Sequence, residues 1–346
     1  MRKFLTSFFE GLEDKLIEKE QRMKKLSSII KSNSDVNINN SNSLKKCLRR
    51  YSVRKKEVSK RLIQITDLAA EIAERPFDET QSLGFMSRLL VMVNLPYRDP
   101  GKEARNWWKT NGAVSINVTP GYDGEKSIGI PYGVYPRLIL AYLITQAVRT
   151  KSPEIFLGKT FREFLDLVGI NDGGKQYKQV LKQINRTTSA NFSWTYKKEK
   201  MRSRTNIQVS HQSQLWWNPK SPDQKSLWES KITLNTDFFN EIIRNTVPLD
   251  FRVLKVLKNS PLGLDLYMFL SWRTFNLKGP AFISWKGLHT QLGGQYGNLK
   301  EFGRDCRKHI KRIQAFWPEL NVKTVRGRIC ITPISQNPIF VDKPHS

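Results

Sequence analysis

The sequence contains the same order of predicted elements twice, and this repetition constrains its fold more than any other feature. Each copy has an apolar helix, a short strand, a second helix, a Gly-containing turn, a basic helix and two strands. The first copy has these elements at 135–148, 155–157, 160–169, 171–174, 175–187, 190–196 and 206–210. The helices and strands of the second copy lie at 262–275, 281–283, 284–293, 298–314, 320–325 and 328–332. This is the order of a winged helix, so we predict an α+β chain with two tandem winged-helix domains.

The basic helix of each copy has an apolar stripe on one side and Lys, Arg or Gln side chains on the other. The first helix is predicted to bury Tyr177, Val180, Leu181 and Ile184 and to expose Lys175, Lys178, Gln179, Lys182, Gln183 and Arg186. The second is predicted to bury Leu299, Phe302, Cys306, Ile310 and Ile313 and to expose Lys300, Arg304, Arg307, Lys308, Lys311 and Arg312. In the major groove of DNA, Arg reads guanine and Gln reads adenine, while Lys mostly neutralises phosphate. Both faces therefore predict contact with double-stranded DNA.

The alternative for these helices is an ordinary solvent-exposed surface, on which basic residues alternate with acidic ones. Residues 175–186 contain no Asp or Glu, and residues 300–312 contain only Glu301 and Asp305. This scarcity of acidic residues favours DNA contact. The loops between the paired strands are basic as well. They add Lys197, Lys198, Lys200, Arg202 and Arg204 from the first wing, and Arg326 and Arg328 from the second, to the predicted phosphate contacts.

The net charge and the cysteines indicate the kind of partner and the cellular location to expect. With 58 Lys and Arg against 31 Asp and Glu, the formal charge is +27, which favours a polyanionic partner. No apolar stretch is long enough to span a bilayer, and acidic residues interrupt any signal-peptide core near the amino terminus. The three cysteines, Cys47, Cys306 and Cys330, have no metal-ligand spacing. We therefore expect a cytoplasmic protein that has no membrane partner.

Changes in composition divide the chain into segments. We predict an amphipathic helix at 1–30, a Ser/Asn-rich linker at 31–44, a basic helical extension at 45–82, a first winged-helix domain with an N-terminal hairpin at 83–230, a second winged-helix domain at 231–334 and a flexible tail at 335–346. The hairpin is predicted from strands at 114–119 and 127–130. Mixed charges on the first helix favour a packing or oligomerisation role over a membrane role. The basic extension is either an arm that contacts phosphates or a solvated face.

No pattern in the sequence predicts catalysis. Residues 169–176 resemble a phosphate-binding loop, but Gln176 stands where Ser or Thr should follow the lysine, and a helix precedes the loop. The four histidines are scattered, and we expect His309, on the second basic helix, to face DNA or to be partly buried. We therefore predict no catalytic residue, no metal and no cofactor.

Two pairs of tryptophans, Trp107-Trp108 and Trp216-Trp217, allow two interpretations. They either stack on unpaired bases, as in proteins that bind single strands, or pack in the interior. Packing is the commoner role of Trp outside an open groove, and we favour it here.

Several long runs resemble the plasmid-encoded RepA-type replication initiator family. They are FMSRLLVMVNLPYRDPG at 85–101, IGIPYGVYPRLILAYLITQAVRTKSPEI at 128–155, LWWNPKSPDQKSLWES at 215–230 and VPLDFRVLKVLKNSPLGLDLYMFLSW at 247–272. The resemblance covers roughly 83–333. Asn218 departs from it, since an acidic residue is expected there, and the pattern near 105–112 is only loosely kept.

The resemblance implies a bacterial plasmid protein that binds directly repeated origin sites, called iterons. Such a protein helps to open an adjacent AT-rich segment and recruits the host replicative helicase and initiator, and its dimers repress its own gene. Three other functions remain open: a winged-helix transcriptional repressor without an initiator role, an enzyme that nicks the origin, and a membrane-associated protein anchored by residues 4–30.

Overall fold

The structure is a computed structural model that describes residues 82–101, 103–170, 174–199, 201–218, 220–226, 229–294 and 296–334. At Gly174 and Lys175 it describes the backbone only. All described residues belong to one compact unit within Arg75–Ser346. The predicted helix at 1–30, the linker at 31–44, the extension up to residue 81 and the tail at 335–346 lie outside the described residues.

The described part of the chain is α+β, as predicted. Its elements are, in chain order, β1 (Leu83–Ser87), α1 (Arg88–Met92), β2 (Trp107–Asn111), β3 (Val114–Thr119), β4 (Tyr122–Asp123), β5 (Lys126–Ser127), α2 (Val134–Thr150), β6 (Glu154–Phe156), α3 (Phe161–Val168), α4 (Gly174–Ser189), β7 (Asn191–Lys198), β8 (Met201–Gln208), β9 (Ser210–Gln214), β10 (Lys231–Leu234), α5 (Thr236–Arg244), β11 (Thr246–Asp250), α6 (Phe251–Leu257), α7 (Pro261–Asn276), β12 (Ala281–Ser284), α8 (Trp285–Leu292), α9 (Leu299–Phe316), β13 (Val322–Val325) and β14 (Arg328–Ile331). Every helix and strand predicted for the two copies is present, with boundaries that differ by a few residues.

The two long apolar helices, α2 and α7, form the centre of the core. Eleven of the 17 residues of α2 and 11 of the 16 residues of α7 are buried, so neither helix has a continuous solvent-exposed face. A helix that is apolar on all sides is stable only where other elements surround it. The shorter helices α3 and α8 each begin at a capping side chain, because Thr160 accepts from the amide of Glu163 and Ser284 accepts from the amide of Gly287.

The hairpins of the two copies pair differently. In the second copy β12 pairs with β14, and β14 pairs with β13, so the strand before α8 extends the hairpin. In the first copy the β7–β8 hairpin pairs with β3 in a sheet of order β2-β3-β7-β8, whereas β6 pairs with β10. The physical reason is the apolar inner face of β3, where Ile116 and Val118 are buried alongside Phe192 and Trp194. Pairing with β3 buries these apolar side chains together, and the hairpin therefore pairs with β3 and not with β6.

The predicted hairpin of 114–119 with 127–130 is wrong in its pairing. The first strand is present as β3, but its partners are β2 and β7. Gly112, with φ 57°, closes the turn between β2 and β3, a left-handed backbone that favours glycine. Residues 122–127 form only the short ribbon β4–β5.

Strand pairing joins the two predicted domains across their boundary near residue 230. β1 pairs antiparallel with β11, from Leu83 opposite Asp250 to Ser87 opposite Thr246. The pairing of β6 with β10 crosses the same boundary. The division into 83–230 and 231–334 stays a prediction, and both segments contribute strands to shared sheets.

A buried ion pair connects the two central helices. The Arg137 guanidinium of α2 donates from Nε to Oδ1 of Asp265 in α7 at 2.7 Å and from Nη2 to Oδ2 at 2.8 Å. The two side chains are only 3% and 7% exposed. Arg137 also donates to the carbonyls of Leu95 and Gly133, and Asn94 donates to Asp265, so the buried charges are compensated.

Lys109 of β2 completes this network. Its ammonium donates to Oδ1 of Asn94 at 2.5 Å and to the carbonyl of Gln291 at 2.6 Å. Burial lowers the pKa of Lys109 to about 8, partly opposed by the nearby Asp265 carboxylate. The network therefore fastens β2 and the end of α8 to the ion pair between α2 and α7.

We expect Asp265→Asn to destabilise the fold by about 3–5 kcal/mol, because it leaves the buried Arg137 charge uncompensated. The free energy of unfolding from denaturant titrations measures this. Asp223→Asn is the matched control, since Asp223 pairs with Arg162 at the surface, where the side chains are 66% and 35% exposed. Equal losses of stability in the two variants would contradict a structural role for the Arg137–Asp265 pair.

Candidate nucleic-acid interface

The first basic helix, α4, has the predicted apolar face inside and part of the predicted polar face outside. Tyr177, Val180 and Ile184 are buried, and Leu181 is half-buried. Lys178, Gln179 and Lys182 are exposed. The side chain of Lys175 lies outside the described residues. The solvent-facing side of α4 therefore has two cations and one amide that suit a phosphate backbone or a base edge.

Two residues of α4 that we predicted to face DNA, Gln183 and Arg186, are buried, and this part of the prediction is wrong. Arg186 is 2% exposed and donates to the carbonyls of Ile128 and Ile130, each at 3.0 Å. The Gln183 side chain accepts from the amide of Tyr132 at 3.0 Å. Both side chains therefore hold α4 against the segment 128–132.

The close contacts of the Arg186 guanidinium explain why this cation is buried. Its guanidinium also donates to Asp99 at 3.2 Å and lies 5.2 Å from the centre of the Tyr132 ring. Gly129 has φ 92°, and a Cβ atom there would come within 2.6 Å of the guanidinium. Arg186 thus supplies donors to two carbonyls of this turn, as buried carbonyls require.

The second basic helix, α9, begins at Asn298, whose side chain accepts from the amide of Lys300 at 2.8 Å. As predicted, the helix buries Phe302, Cys306, Ile310 and Ile313. Leu299 was predicted to be buried with them, but it lies in the first turn and is 43% exposed. The exposed cations of the helix are Lys300, Arg304, Arg307, Lys308 and Lys311.

The remaining predicted cation of α9, Arg312, was predicted to be exposed, and this part of the prediction is wrong, whereas its role in DNA binding stays a prediction. It is half-buried and donates from Nη2 to the carbonyl of Val256 at 2.9 Å. Val256 belongs to α6, so Arg312 holds α9 against α6. Arg307, in contrast, lies 5.3 Å from the centre of the Trp285 ring and stays exposed. Stacking on this ring orients the Arg307 guanidinium without burying it.

His309 is the one titratable ring in the described part of α9. Its Nε2 lies 3.0 Å from Oγ of Ser260, the residue that caps α7. Burial, together with the neighbouring Arg312 and Lys308 and against an opposing effect of Asp305, lowers the pKa of His309 to about 4. His309 is therefore neutral at pH 7 and adds no positive charge to the helix face.

Both wings present exposed cations. In the β7–β8 hairpin these are Lys197, Lys198, Arg202 and Arg204, whereas Lys200 lies outside the described residues. In the β13–β14 hairpin, Arg326 and Arg328 flank the turn at Gly327, and both are exposed. Arg328 stacks 4.9 Å from the centre of the Phe282 ring. The cations of each hairpin thus lie near its tip.

The tryptophan pairs are divided between the core and the surface. Trp217 is buried, with its ring 5.0 Å from Phe161 and 5.0 Å from Phe164, so packing is confirmed for this residue. Trp108 and Trp216 are 69% and 51% exposed, and packing is wrong for both. Trp107 and Trp108 are neighbours in β2, where successive side chains point to opposite faces, so their rings cannot both face the same core.

In the described residues, no group of His, Cys, Asp or Glu is arranged to bind a metal ion. Among the helices of that part of the chain, none is long and apolar enough to cross a membrane. The exposed side chains of α4, α9 and the two hairpins supply hydrogen-bond donors and positive charge. Such groups bind phosphates and read base edges.

The comparison with protein families confirms the RepA-type resemblance over part of the chain. Residues 130–286 match the family described as plasmid encoded RepA protein. The matched range contains α2, α4, the β7–β8 hairpin and α7, and it ends before α9. No curated protein matches the chain.

Two solved structures of domains 2 and 3 of RctB are similar to this chain. The crystal structure of the selenomethionine derivatives aligns with a TM-score of 0.45 and 13% identity, and covers 70% of this chain and 95% of that chain. A second crystal structure of these domains aligns with a TM-score of 0.44 and 12% identity, and covers 68% of this chain and 95% of that chain.

We expect acid to destabilise the fold through His309. The unfolded state gains a proton below pH 6.5, but the folded state gains it only near pH 4, so stability is lost as the pH falls between these values. The loss reaches up to about 3 kcal/mol. His309→Gln cannot titrate, and its free energy of unfolding should fall less than that of the wild type from pH 7 to pH 4. Parallel pH profiles for the two proteins would exclude this role of His309.

Proposed function

We propose that this protein initiates plasmid replication by binding double-stranded origin DNA through two winged helices. The observation that carries the proposal is the pair of basic faces on α4 and α9. Each face belongs to the third helix of the same order of elements, and each has few acidic residues. The match of residues 130–286 to the plasmid encoded RepA protein family supports the role in replication.

The strand order in the second half of the chain supports a winged helix there. Because β12 pairs with β14, the hairpin closes against the strand that precedes α8. In a winged helix of this kind, the third helix enters the major groove and the hairpin contacts the flanking backbone. We infer that Arg304 and Arg307 of α9 approach base edges. Lys300, Lys308 and Lys311 then neutralise phosphates, together with Arg326 and Arg328 of the wing.

The strand order in the first half of the chain supports a winged helix whose wing, the β7–β8 hairpin, is part of a four-stranded sheet. The β7–β8 hairpin has eight residues on each strand and is paired with β3 over six of them. Its outer end, with Lys197, Lys198 and Arg202, projects beyond this pairing. We infer that α4 contacts DNA through Lys178, Gln179 and Lys182 while this end contacts the adjacent backbone or minor groove.

Contacts between the two halves support a fixed arrangement of α4 and α9. A strand and a short helix precede the long helix in both, β1–α1 before α2 and β11–α6 before α7. The equivalent strands β1 and β11 pair antiparallel, and the long helices are linked by Arg137 and Asp265. Equivalent elements that pair with each other in this way are typical of an approximate two-fold relation. We infer that α4 and α9 of one chain read two parts of one long site at a fixed spacing.

The finer roles come from the resemblance. They are binding to iteron-like direct repeats, opening of the adjacent AT-rich DNA and recruitment of the host replicative helicase and initiator. A homodimer, a cytoplasmic location and the lack of catalytic activity belong to the same proposal. Footprinting on the parent replicon tests it. Protection of tandem repeats, together with loss of the plasmid when the gene is deleted, supports an initiator. Protection of a lone palindrome with normal plasmid maintenance would instead identify a repressor.

Two substitutions test the roles of the helices in duplex binding. Arg307→Ala should weaken binding by about 1–3 kcal/mol and relax the preference for one base, if Arg307 reads a guanine. Lys182→Ala should weaken binding to all DNA sequences about equally. It should also reduce the slope of log affinity against log salt concentration by about one, because it removes one phosphate contact. Fluorescence anisotropy at several salt concentrations measures both effects.

Lys278→Ala is the control for these variants, since Lys278 is an exposed lysine in the loop after α7 and lies on neither basic face. Its affinity should match that of the wild type. If Arg307→Ala and Lys182→Ala both bind duplex DNA with wild-type affinity, α4 and α9 do not contact the DNA.

A further inference from the structure

We propose that the outer face of the sheet β2-β3-β7-β8 binds single-stranded DNA and that Trp108 stacks on one of its bases. The inference deepens the proposed function and rests on it for the source of the strand, which is origin DNA that has been opened. Trp108 lies in neither basic helix nor in the β7–β8 wing. Its contribution can therefore be measured separately from duplex binding.

The register of the strands assigns each side chain of the sheet to one of two faces. Residues directly opposite each other in antiparallel strands project from the same face, and the faces alternate along each strand. The row Val118, Phe192 and Ile207 and the neighbouring pair Ile116 and Trp194 are buried. These rows form the inner face, against the core. The rows between them must form the outer face.

The outer face is polar except for one large aromatic ring. One row runs across all four strands from Trp108 through Asn117 and Ser193 to Asn206. The next row runs from Thr110 through Ser115 and Thr195 to Arg204. Trp108 is 69% exposed at the β2 edge of this face. Its indole therefore remains available for stacking, beside a series of amide and hydroxyl groups.

The charge of the sheet suits a nucleic-acid strand. None of the residues in β2, β3, β7 and β8 is acidic. The cations of the outer face lie toward the hairpin, where Lys197 is opposite Arg202 and Arg204 is in the next outer row. Four strands span about 14 Å from edge to edge, since neighbouring strands lie about 4.8 Å apart. A few nucleotides thus reach from Trp108 to the cations, with bases over the ring and phosphates near Arg204 and the hairpin.

An unpaired strand fits this face better than a duplex does. In a duplex each base is stacked on both sides and its pairing edge is occupied, so a single exposed indole finds no free base. In a single strand, a base exposes one flat side to an aromatic ring and its pairing edge to polar side chains. The Ser193 hydroxyl donates to Oδ1 of Asn206 at 2.6 Å. The amide nitrogen of Asn206 can still donate to a base edge, and the Thr195 hydroxyl can donate or accept.

The test measures binding of the full chain to a labelled single strand of mixed sequence, about 15 nucleotides long, by fluorescence anisotropy. Trp108→Ala should weaken binding by about five- to 150-fold, which is the range for loss of one base–aromatic stack. Trp108→Phe should retain most of the affinity, because it keeps an aromatic ring. Trp216→Ala is the matched control, since Trp216 is 51% exposed on a different part of the chain, and its affinity should not change.

Duplex DNA that carries the protected site is the second arm of the experiment. Trp108→Ala should bind this duplex as the wild type does, which shows that the variant is folded and that α4 and α9 still act. If duplex binding fails in the wild type, the proposed function is wrong, whereas the single-strand arm still tests the sheet face. Equal binding of the single strand by Trp108→Ala and the wild type would overturn the proposal. Tighter binding of RNA of the same sequence would also overturn the assignment to DNA.

Discussion

The ion pair between Arg137 and Asp265 is the interaction on which the arrangement of the molecule depends. It joins two helices that are mostly apolar and buried, at a depth where each charge alone would cost several kcal/mol. Both oxygens of the carboxylate accept from the guanidinium, and the other donors of Arg137 reach the carbonyls of Leu95 and Gly133. This geometry is satisfied in one relative position of α2 and α7. The two repeated halves are therefore held in a defined orientation, which apolar packing alone would specify less strictly.

That defined orientation matters because each half supplies one basic helix. α4 and α9 are anchored to the rest of the unit by arginines that the sequence had placed on their outer faces. Arg186 donates to carbonyls of the turn before α2, and Arg312 donates to a carbonyl of α6. A guanidinium has five donors, so it suits a turn or helix end whose carbonyls need partners. Fewer cations therefore remain exposed on the two basic helices.

The surfaces of the described unit suit two forms of DNA. The helix faces have long, mobile cations that match the grooves and backbone of a duplex. The outer sheet face combines short polar side chains with one exposed indole, which suits unpaired bases. The β7–β8 hairpin belongs to both surfaces, because its cations lie at the end of the sheet and beyond it. The proposed role in opening an origin requires binding to both the closed and the opened strand.

Features that depend on a few neighbouring residues could be predicted from the sequence alone. The 3.6-residue spacing places Phe302, Cys306 and Ile310 on one side of α9, and Thr160 and Ser284 cap the helices that follow them. The α+β class and the order of elements in both copies follow from these local signals. The pairing of β6 with β10 and of β1 with β11, the burial of Gln183 and Arg186, the contact of Arg312 with α6 and the exposure of Trp108 were decided only by the tertiary structure. Each of these depends on a partner many residues away, such as a carbonyl in need of a donor or an apolar strand face, and no local pattern specifies which partner that is.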